Sequence, residues 1–439
     1  MPSKKAAGRV IALVGVGTLA VGLSACAGGS NDAGDDAASS GPVTITYMHR
    51  LPDGEGMTPV DDIVAKWNKE HPDIQVKATK FDGAASEMIL KLETDIKAGS
   101  GPCLAQIGYS EVPGMYVKGL LQDVTTEAGK YADNYSAGAF GMMKVGDKVV
   151  GLPQDTGPLV YFYNATAFKK LGLTVPTTMD ELAADAATAS KDGKYVAAFT
   201  PDEAQNWLSA QAAAAGDTWF GASDDKWQVN TQGTGSQQVS ALWQGLIDDK
   251  QVFVGDRWGD AFTKALTDGS LIGHVGAAWE AGFLLDPLDG TESEGQWRVA
   301  QLPTFGTDAM TGPDGGSGVS VMKGCEYPEQ AMEFNNWFNT QVDDLTSQGL
   351  VVAAKGTPTT PTKMKKQFGD QDVLSELATA TQNLNPDFPY MPGFSALSTM
   401  NETAAKAGSG DVPVSDIFTT AQTTAVSTIK DLGLPVAGN

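Results

Sequence analysis

The sequence predicts an α/β protein with a mostly parallel sheet, and three observations carry that expectation. Strand-like and helix-like segments alternate from Val43 onward, the pattern of stacked α/β layers. The composition, 41% hydrophobic and 19% charged over 439 residues, is that of a folded chain with room for two or three domains. No run beyond the first thirty residues reaches eighteen apolar positions, so nothing in the body reads as a membrane span.

The elements follow in order. VTITY (43–47) alternates β-branched and polar residues and predicts a first strand. Residues 59–71 place Val60, Ile63, Val64 and Trp67 at helical spacing. That helix ends at His71-Pro72, because a residue before proline avoids the helical region. IQVKA (74–78) predicts a second strand, and 87–98 an amphipathic helix with Met88, Leu92 and Ile96 on one stripe. LAQIG (104–108) reads as a short buried strand. VVGLPQDTGPLVYFYN (149–164) predicts strand, a Pro/Gly break, and strand again, as suits a crossing between two domains. Helices are expected near 179–190, 203–215, 235–248, 328–340 and 411–433, with a strand at GVSVM (318–322).

The first residues read as a targeting signal. Lys4, Lys5 and Arg9 precede an apolar run, Val10–Leu23, that would span only ~21 Å as helix, short of a ~30 Å hydrocarbon core. Leu23-Ser24-Ala25-Cys26 resembles a bacterial lipobox, which implies a lipidated (palmitate-bearing) Cys26 and removal of the signal peptide 1–25. An ordinary signal peptide with a chance cysteine is the alternative. Residues 26–42 are small and acidic and predict a flexible tether. Removing three basic residues and no acidic one takes the net charge from −23 to −26. A field of that sign repels nucleic acid and anionic lipid, so neither is an expected partner. Three cysteines and three histidines offer little for zinc or haem, and no cofactor is expected.

Four segments, KWNKEHPDIQV, GLPQDTGPLVYFYNATAFKKLGL, DAFTKALTDGSLIGHVGAAWEAGFL and GGSGVSVMKGCEYPEQAMEFNNWF, stand in this order behind the lipobox. They resemble extracellular solute-binding proteins of carbohydrate-uptake ABC transporters, the maltose-binding protein family, from about Val43 to Leu434. The resemblance implies a periplasmic-binding-protein-like fold of two discontinuous α/β lobes joined by a hinge. Its expected boundaries are 43–155 and 302–345 for the first lobe, 156–301 and 346–439 for the second. It further implies an oligosaccharide ligand, ABC transporter permease subunits as partners, and a monomer. With the lipobox and the Ala/Gly-rich composition, the expected location is the outer face of a Gram-positive cell membrane, held by the lipid alone.

Sugar rings stack their C–H faces on aromatic rings while their hydroxyls demand polar partners. His49 and Arg50 follow the first strand, and Tyr109 and Glu111 follow LAQIG, at the strand ends where open α/β sheets place ligands. Solvated loops are the alternative for both. Gln154 and Asp155 fall in the expected hinge, with turn capping as the alternative. Gln205 and Asn206 flank Trp207, which is either an aromatic platform or a core residue of its helix. Trp279 and Glu280 lie between small residues, which leaves the indole room to enter a cleft. Gly316 and Ser317 resemble the family's glycine-rich lead into a strand, and they lack the lysine of a phosphate loop. Phe388 and Tyr390 are candidates for closing the cleft from the tail, and Trp258 for packing or the rim.

Within the resemblance, Cys103 and Cys325 belong to strands of the first lobe and are expected to form a disulfide, with two buried thiols as the alternative. A hydrolase is the main rival function, yet G-x-S-x-G and H-E-x-x-H are absent and His49, His71 and His274 are scattered. A surface glycan receptor without transport is the other rival. The acidic stretch 286–294 suggests either calcium or a solvated loop; it lacks the D-x-D-x-D-G order.

Overall fold

The computed structural model describes residues 42–438 apart from 55, 56, 84, 258 and 307. The signal peptide, Cys26, the tether up to residue 41 and Trp258 therefore lie outside the described residues. Seven strands form the main sheet. They are β1 (Val43–His49), β2 (Ile74–Lys80), β3 (Leu104–Gly108), β4 (Gly151–Asn164), β5 (Gly273–Ala277), β6 (Trp297–Gln301) and β7 (Pro313–Val321). Their order is β5-β4-β7-β3-β1-β2, with β6 also paired to β4.

The first hundred residues fold as their periodicity dictates. Helix α1 (Val60–Glu70) connects β1 to β2 and buries Val60, Ile63, Val64 and Trp67. Helix α2 (Ala85–Lys97) connects β2 to β3 and buries Met88 and Leu92. Helical crossovers return the chain in the same direction, so β1 pairs in parallel with both β2 and β3. The mostly parallel sheet expected from the sequence stops there. The pairings of β7 with β3 and β4, and of β5 and β6 with β4, are all antiparallel. Nothing in the local pattern of a buried strand encodes the direction of its neighbour.

The expected break at 149–164 is also corrected: β4 is a single strand of 14 residues. Pro153 and Pro158 are accommodated because the β7–β4 ladder is irregular, with register shifts between Pro313 and Gly316 and between Ser317 and Gly318. The strand nevertheless changes partners where the break was expected. Gly151–Pro158 pair with β7, while Leu159–Asn164 pair with β5 and β6. The glycine-rich segment 315–318 lies inside β7 rather than ahead of it.

Cys103 and Cys325 form a disulfide, with Cα atoms 4.6 Å apart. The bridge ties the approach to β3 to the turn after β7, 222 residues on. The acidic 286–294 stretch is a surface loop held by lysine: Lys363 pairs with Asp286 at 2.7 Å and Lys366 with Glu294 at 2.8 Å. Among the described residues no group of three or more His, Cys, Asp or Glu side chains could hold a metal ion. Replacing both Cys103 and Cys325 by serine is expected to lower the free energy of unfolding by ~2–5 kcal/mol, read from urea titrations with oxidised parent as reference. An unchanged midpoint would show that the bridge adds no net stability to the folded state.

Candidate functional site

A cavity of about 580 Å³ opens where β4 changes partners. Its floor comes from Arg50 just beyond β1, Gln106 to Gly108 at the end of β3, Asp155 within β4, and Gly316 and Ser317 within β7. Glu111 follows β3, and Met88 and Ile89 of α2 add an apolar flank. The opposite wall holds Glu203 and Asn206 at the start of α3 (Ala204–Ala214), Arg257, Trp279 and Asp314.

The floor is a connected chain of polar groups. The backbone N–H of Arg50 donates to Gln106 Oε1 at 2.8 Å, and Gln106 Nε2 donates to Ser317 Oγ at 3.1 Å. The Ser317 hydroxyl in turn donates to the Asp155 carboxylate, and the Tyr109 hydroxyl donates to the Asp155 carbonyl at 2.8 Å. Glycine is required at 316, where φ is +98° and a Cβ would stand 2.7 Å from the Tyr109 ring.

The opposite wall is built around one guanidinium. Arg257 is 1% exposed and meets Glu280 at 2.6 Å, Glu203 at 2.9 Å and Asp314 at 3.4 Å. Its guanidinium carbon lies 5.0 Å from the Trp279 ring centroid. Trp279 belongs to the short 3₁₀ turn Ala278–Gly282 after β5, and its indole N–H donates to the Asp314 carbonyl at 2.8 Å. Gly157 admits the indole edge, since a Cβ there would lie 3.0 Å from Trp279 Cδ1.

The carboxyls of this site respond differently to burial. Burial pushes Asp155 up to about 6, against the opposing pull of its hydrogen bonds from Ser317. It pushes Asp314 up to about 7, although Arg257 acts in the other direction. Burial raises Glu203 as well, with Arg257 again opposing. Glu280 is the exception. Burial works against its charge, yet Arg257 and His274, whose Nε2 is 3.0 Å from Glu280 Oε2, hold it below the ordinary carboxylate range.

Seven residues singled out from the sequence line this cavity: Arg50, Glu111, Asp155, Asn206, Trp279, Gly316 and Ser317. The other described candidates do not. His49 is 2% exposed, its Nδ1 accepting from the Leu51 N–H at 3.3 Å. Tyr109 lies beneath the floor and supports Asp155 through its hydroxyl. Gln154 points away from Asp155, as alternation along a strand demands, and donates to Tyr47 Oη and Asn339 Oδ1. Trp207 is fully buried, donating to the Val275 carbonyl at 2.8 Å and packing on Trp243 at 4.8 Å, so its core alternative is the observed one. Gln205 lies outside the lining while its neighbour Asn206 is in it. Glu280 is buried behind Trp279 as a partner of Arg257. Phe388 and Tyr390 line a different cavity of about 550 Å³, beside Trp227 and Lys144.

Sequence reasoning missed Gln106, Glu203, Arg257 and Asp314. Two of them neighbour residues it did single out: Glu203 precedes Gln205, and Asp314 precedes Gly315-Gly316. Arg257 carries no local signal, for it lies in a loop and its three carboxylate partners are remote in sequence.

Fold and site together define a cleft floored by residues of the main sheet and walled in part by the Trp279 indole. The family model described as bacterial extracellular solute-binding protein matches residues 52–342, and the chain belongs to that family. Among solved structures, the galacto-N-biose/lacto-N-biose I-binding protein of an ABC transporter from Bifidobacterium longum, in complex with lacto-N-biose, is 53% identical. That match covers 91% of this chain and 100% of the other, with a TM-score of 0.81. The ABC transporter associated binding protein from B. animalis subsp. lactis Bl-04, in complex with β-1,6-galactobiose, shares the fold at 24% identity. It covers 90% of this chain and 99% of its own, with a TM-score of 0.67. The maltodextrin-binding protein MdxE of Bacillus subtilis (strain 168) is 22% identical over 396 residues, 85% of this chain and 87% of that protein.

The raised carboxyls make stability depend on pH with a definite sign. Asp155 and Asp314 bind a proton more readily folded than unfolded, where the ordinary value is 3.8. The stabilisation from protonation is complete below that value and is lost as pH rises through about 6 for Asp155 and about 7 for Asp314. Denaturant titrations should show the stability of the parent falling, relative to Asp155→Asn and Asp314→Asn, between about pH 4 and pH 7. A pH-independent difference would mean that these carboxyls titrate as exposed groups do.

Proposed function

We propose that the chain binds a short neutral oligosaccharide, of the lacto-N-biose or galacto-N-biose kind, and delivers it to an ABC transporter permease for uptake. The carrying observation is Trp279, presented to the cleft opposite the Asp155–Ser317–Gln106 chain, with Asn206 beside it. An indole face stacks on sugar C–H groups, and carboxylates and carboxamides take the hydroxyls. The volume of about 580 Å³ falls within the ~300–1,000 Å³ usual for small-molecule sites. The relative that is 53% identical over nearly the whole chain binds lacto-N-biose.

The charge of the lining favours a neutral ligand. Glu111, Asp155, Glu203 and Asp314 face two guanidiniums, and that of Arg257 is already held by three carboxylates. An acidic sugar would meet repulsion there. The relatives reported above are sugar-binding proteins, which supports a binder over a hydrolase.

The finer parts of the reading extend beyond the cleft. Residues 1–25 serve as signal peptide, Cys26 carries lipid at the outer face of a Gram-positive membrane, and 26–42 tether a monomeric body. The lobes are 43–155 with 302–345 and 156–301 with 346–439, and the partner change along β4 supports a boundary near Asp155.

Calorimetry against lacto-N-biose, galacto-N-biose, maltose and a uronic-acid disaccharide tests the proposal. Saturable binding of one of the first two, without binding of the acidic sugar, and recovery of intact ligand are expected. Cleaved sugar would indicate a hydrolase, and tight binding of the uronate would contradict the charge argument. Replacing Trp279 by alanine is expected to cost ~2 kcal/mol, about thirtyfold in Kd. Undiminished affinity in a folded Trp279→Ala protein would place the ligand elsewhere.

A further inference from the structure

The hydrogen bonds of the cleft floor run in one direction. Ser317 of β7 stands opposite Asp155 of β4 on one side and opposite Gly108 of β3 on the other, and Gln106 lies two residues before Gly108. Residues two apart on a strand share a face, as do cross-strand neighbours, so Gln106, Ser317 and Asp155 form a row on one side of the sheet. The first donor settles the rest of the row. The Arg50 backbone N–H can only donate, so the Gln106 oxygen faces it at 2.8 Å and the Gln106 nitrogen faces Ser317 Oγ at 3.1 Å. Turning that amide over would set its NH2 group against another N–H.

The Ser317 oxygen receives the Gln106 N–H, and the single Ser317 hydroxyl hydrogen goes to the Asp155 carboxylate. Ser317 is the only side chain that donates to that carboxylate among the described residues, and an ionised carboxylate has no hydrogen of its own to give. Neither side chain of the pair has a hydrogen left for the cleft. The donors of the far wall are also engaged on the protein: the Trp279 indole N–H on the Asp314 carbonyl at 2.8 Å, and Arg257 on Glu203, Glu280 and Asp314. Arg50, whose Nε donates to the Gly83 carbonyl at 3.2 Å, stands beyond the end of β1, and Asn206 lines the opposite wall.

We infer that the Asp155–Ser317 pair is a one-way contact: its side chains accept hydrogen from a ligand hydroxyl and offer none in return, so the pair selects ligand groups that donate. The consequence for sugar rests on the function proposed above. The direction of the Ser317 hydroxyl does not, and it can be read without any ligand.

Neutron diffraction from deuterium-exchanged crystals of the ligand-free protein reads that direction. At about pH 7.5 Asp155, pushed up to about 6 by burial, is ionised. The nuclear density should place the Ser317 deuterium toward the Asp155 carboxylate, none on Asp155, and the Gln106 ND2 group on the Ser317 side. The consequence for ligand is read by calorimetry with lacto-N-biose derivatives in which one hydroxyl at a time is replaced by hydrogen, by fluorine or by an amino group. Fluorine cannot donate and an amino group can. At one hydroxyl the deoxy and fluoro derivatives should both bind about tenfold or more weakly than lacto-N-biose, and the amino derivative within about threefold of it. In Asp155→Asn, Ser317 still accepts from Gln106, so its hydrogen stays on the amide oxygen and the amide nitrogen turns to the cleft. The order of the fluoro and amino derivatives should then reverse at that position.

A deuterium on Asp155, or a Ser317 deuterium turned into the cleft, overturns the inference. So do fluoro derivatives that match lacto-N-biose at every hydroxyl whose removal weakens binding. An unreversed order in a folded Asp155→Asn protein overturns the assignment to Asp155, and should that variant fail to fold, the derivative series on the parent decides. Parent protein that binds no lacto-N-biose refutes the proposed ligand, and the neutron density alone then decides the direction of the floor.

Discussion

The structure depends on one constraint: β4 is a single hydrogen-bonded strand that serves two sets of partners. Gly151–Pro158 lie against β7 and Leu159–Asn164 against β5 and β6. Any relative movement of the two sides must be absorbed close to where those partners change. Asp155 lies in the β7-paired half, three residues before Pro158, and Val351 and Ala353 of the segment after 345 bond back to Thr156 and Gln154. On the proposed function, a ligand held at Asp155 would touch the part of the chain that both sets of partners share, the place where a hinge motion would be absorbed.

The second organising feature is the buried charge around Arg257. Removing a guanidinium and three carboxylates from water is costly, and such clusters seldom contribute much net stability. Their value lies in geometry. Glu280 is held charged by Arg257 and His274, whereas Asp314 and Glu203 are raised by burial and face the cavity. The rear of the cluster thus keeps its charge more firmly than the front, where hydroxyl groups of a ligand would have to be accepted.

Much of the fold was legible because it is local. The spacing of Val60, Ile63, Val64 and Trp67, the alternation in VTITY, and the LAQIG strand all appear where they were read. Strand direction was not legible, since a buried strand has the same composition whichever way its neighbour runs. The site divides along the same line. Trp279 could be read because small residues surround it in sequence and leave it space. Trp207 misled because α3 is buried on nearly all its faces, so an indole near its start packs inward. Gln154 and Asp155 looked equivalent, yet a strand turns adjacent side chains to opposite faces, and only Asp155 meets the cleft. Arg257 and Asp314 could not be found locally, because the contacts that define them join segments 23 and 57 residues apart.

A crystal structure of the protein grown with lacto-N-biose would test the central claim most directly. The account predicts a sugar ring stacked on Trp279, with hydroxyls within hydrogen-bond reach of Asp155, Ser317 and Asn206. Sugar seated instead in the cavity beside Trp227 and Phe388, with Trp279 bare, would contradict it.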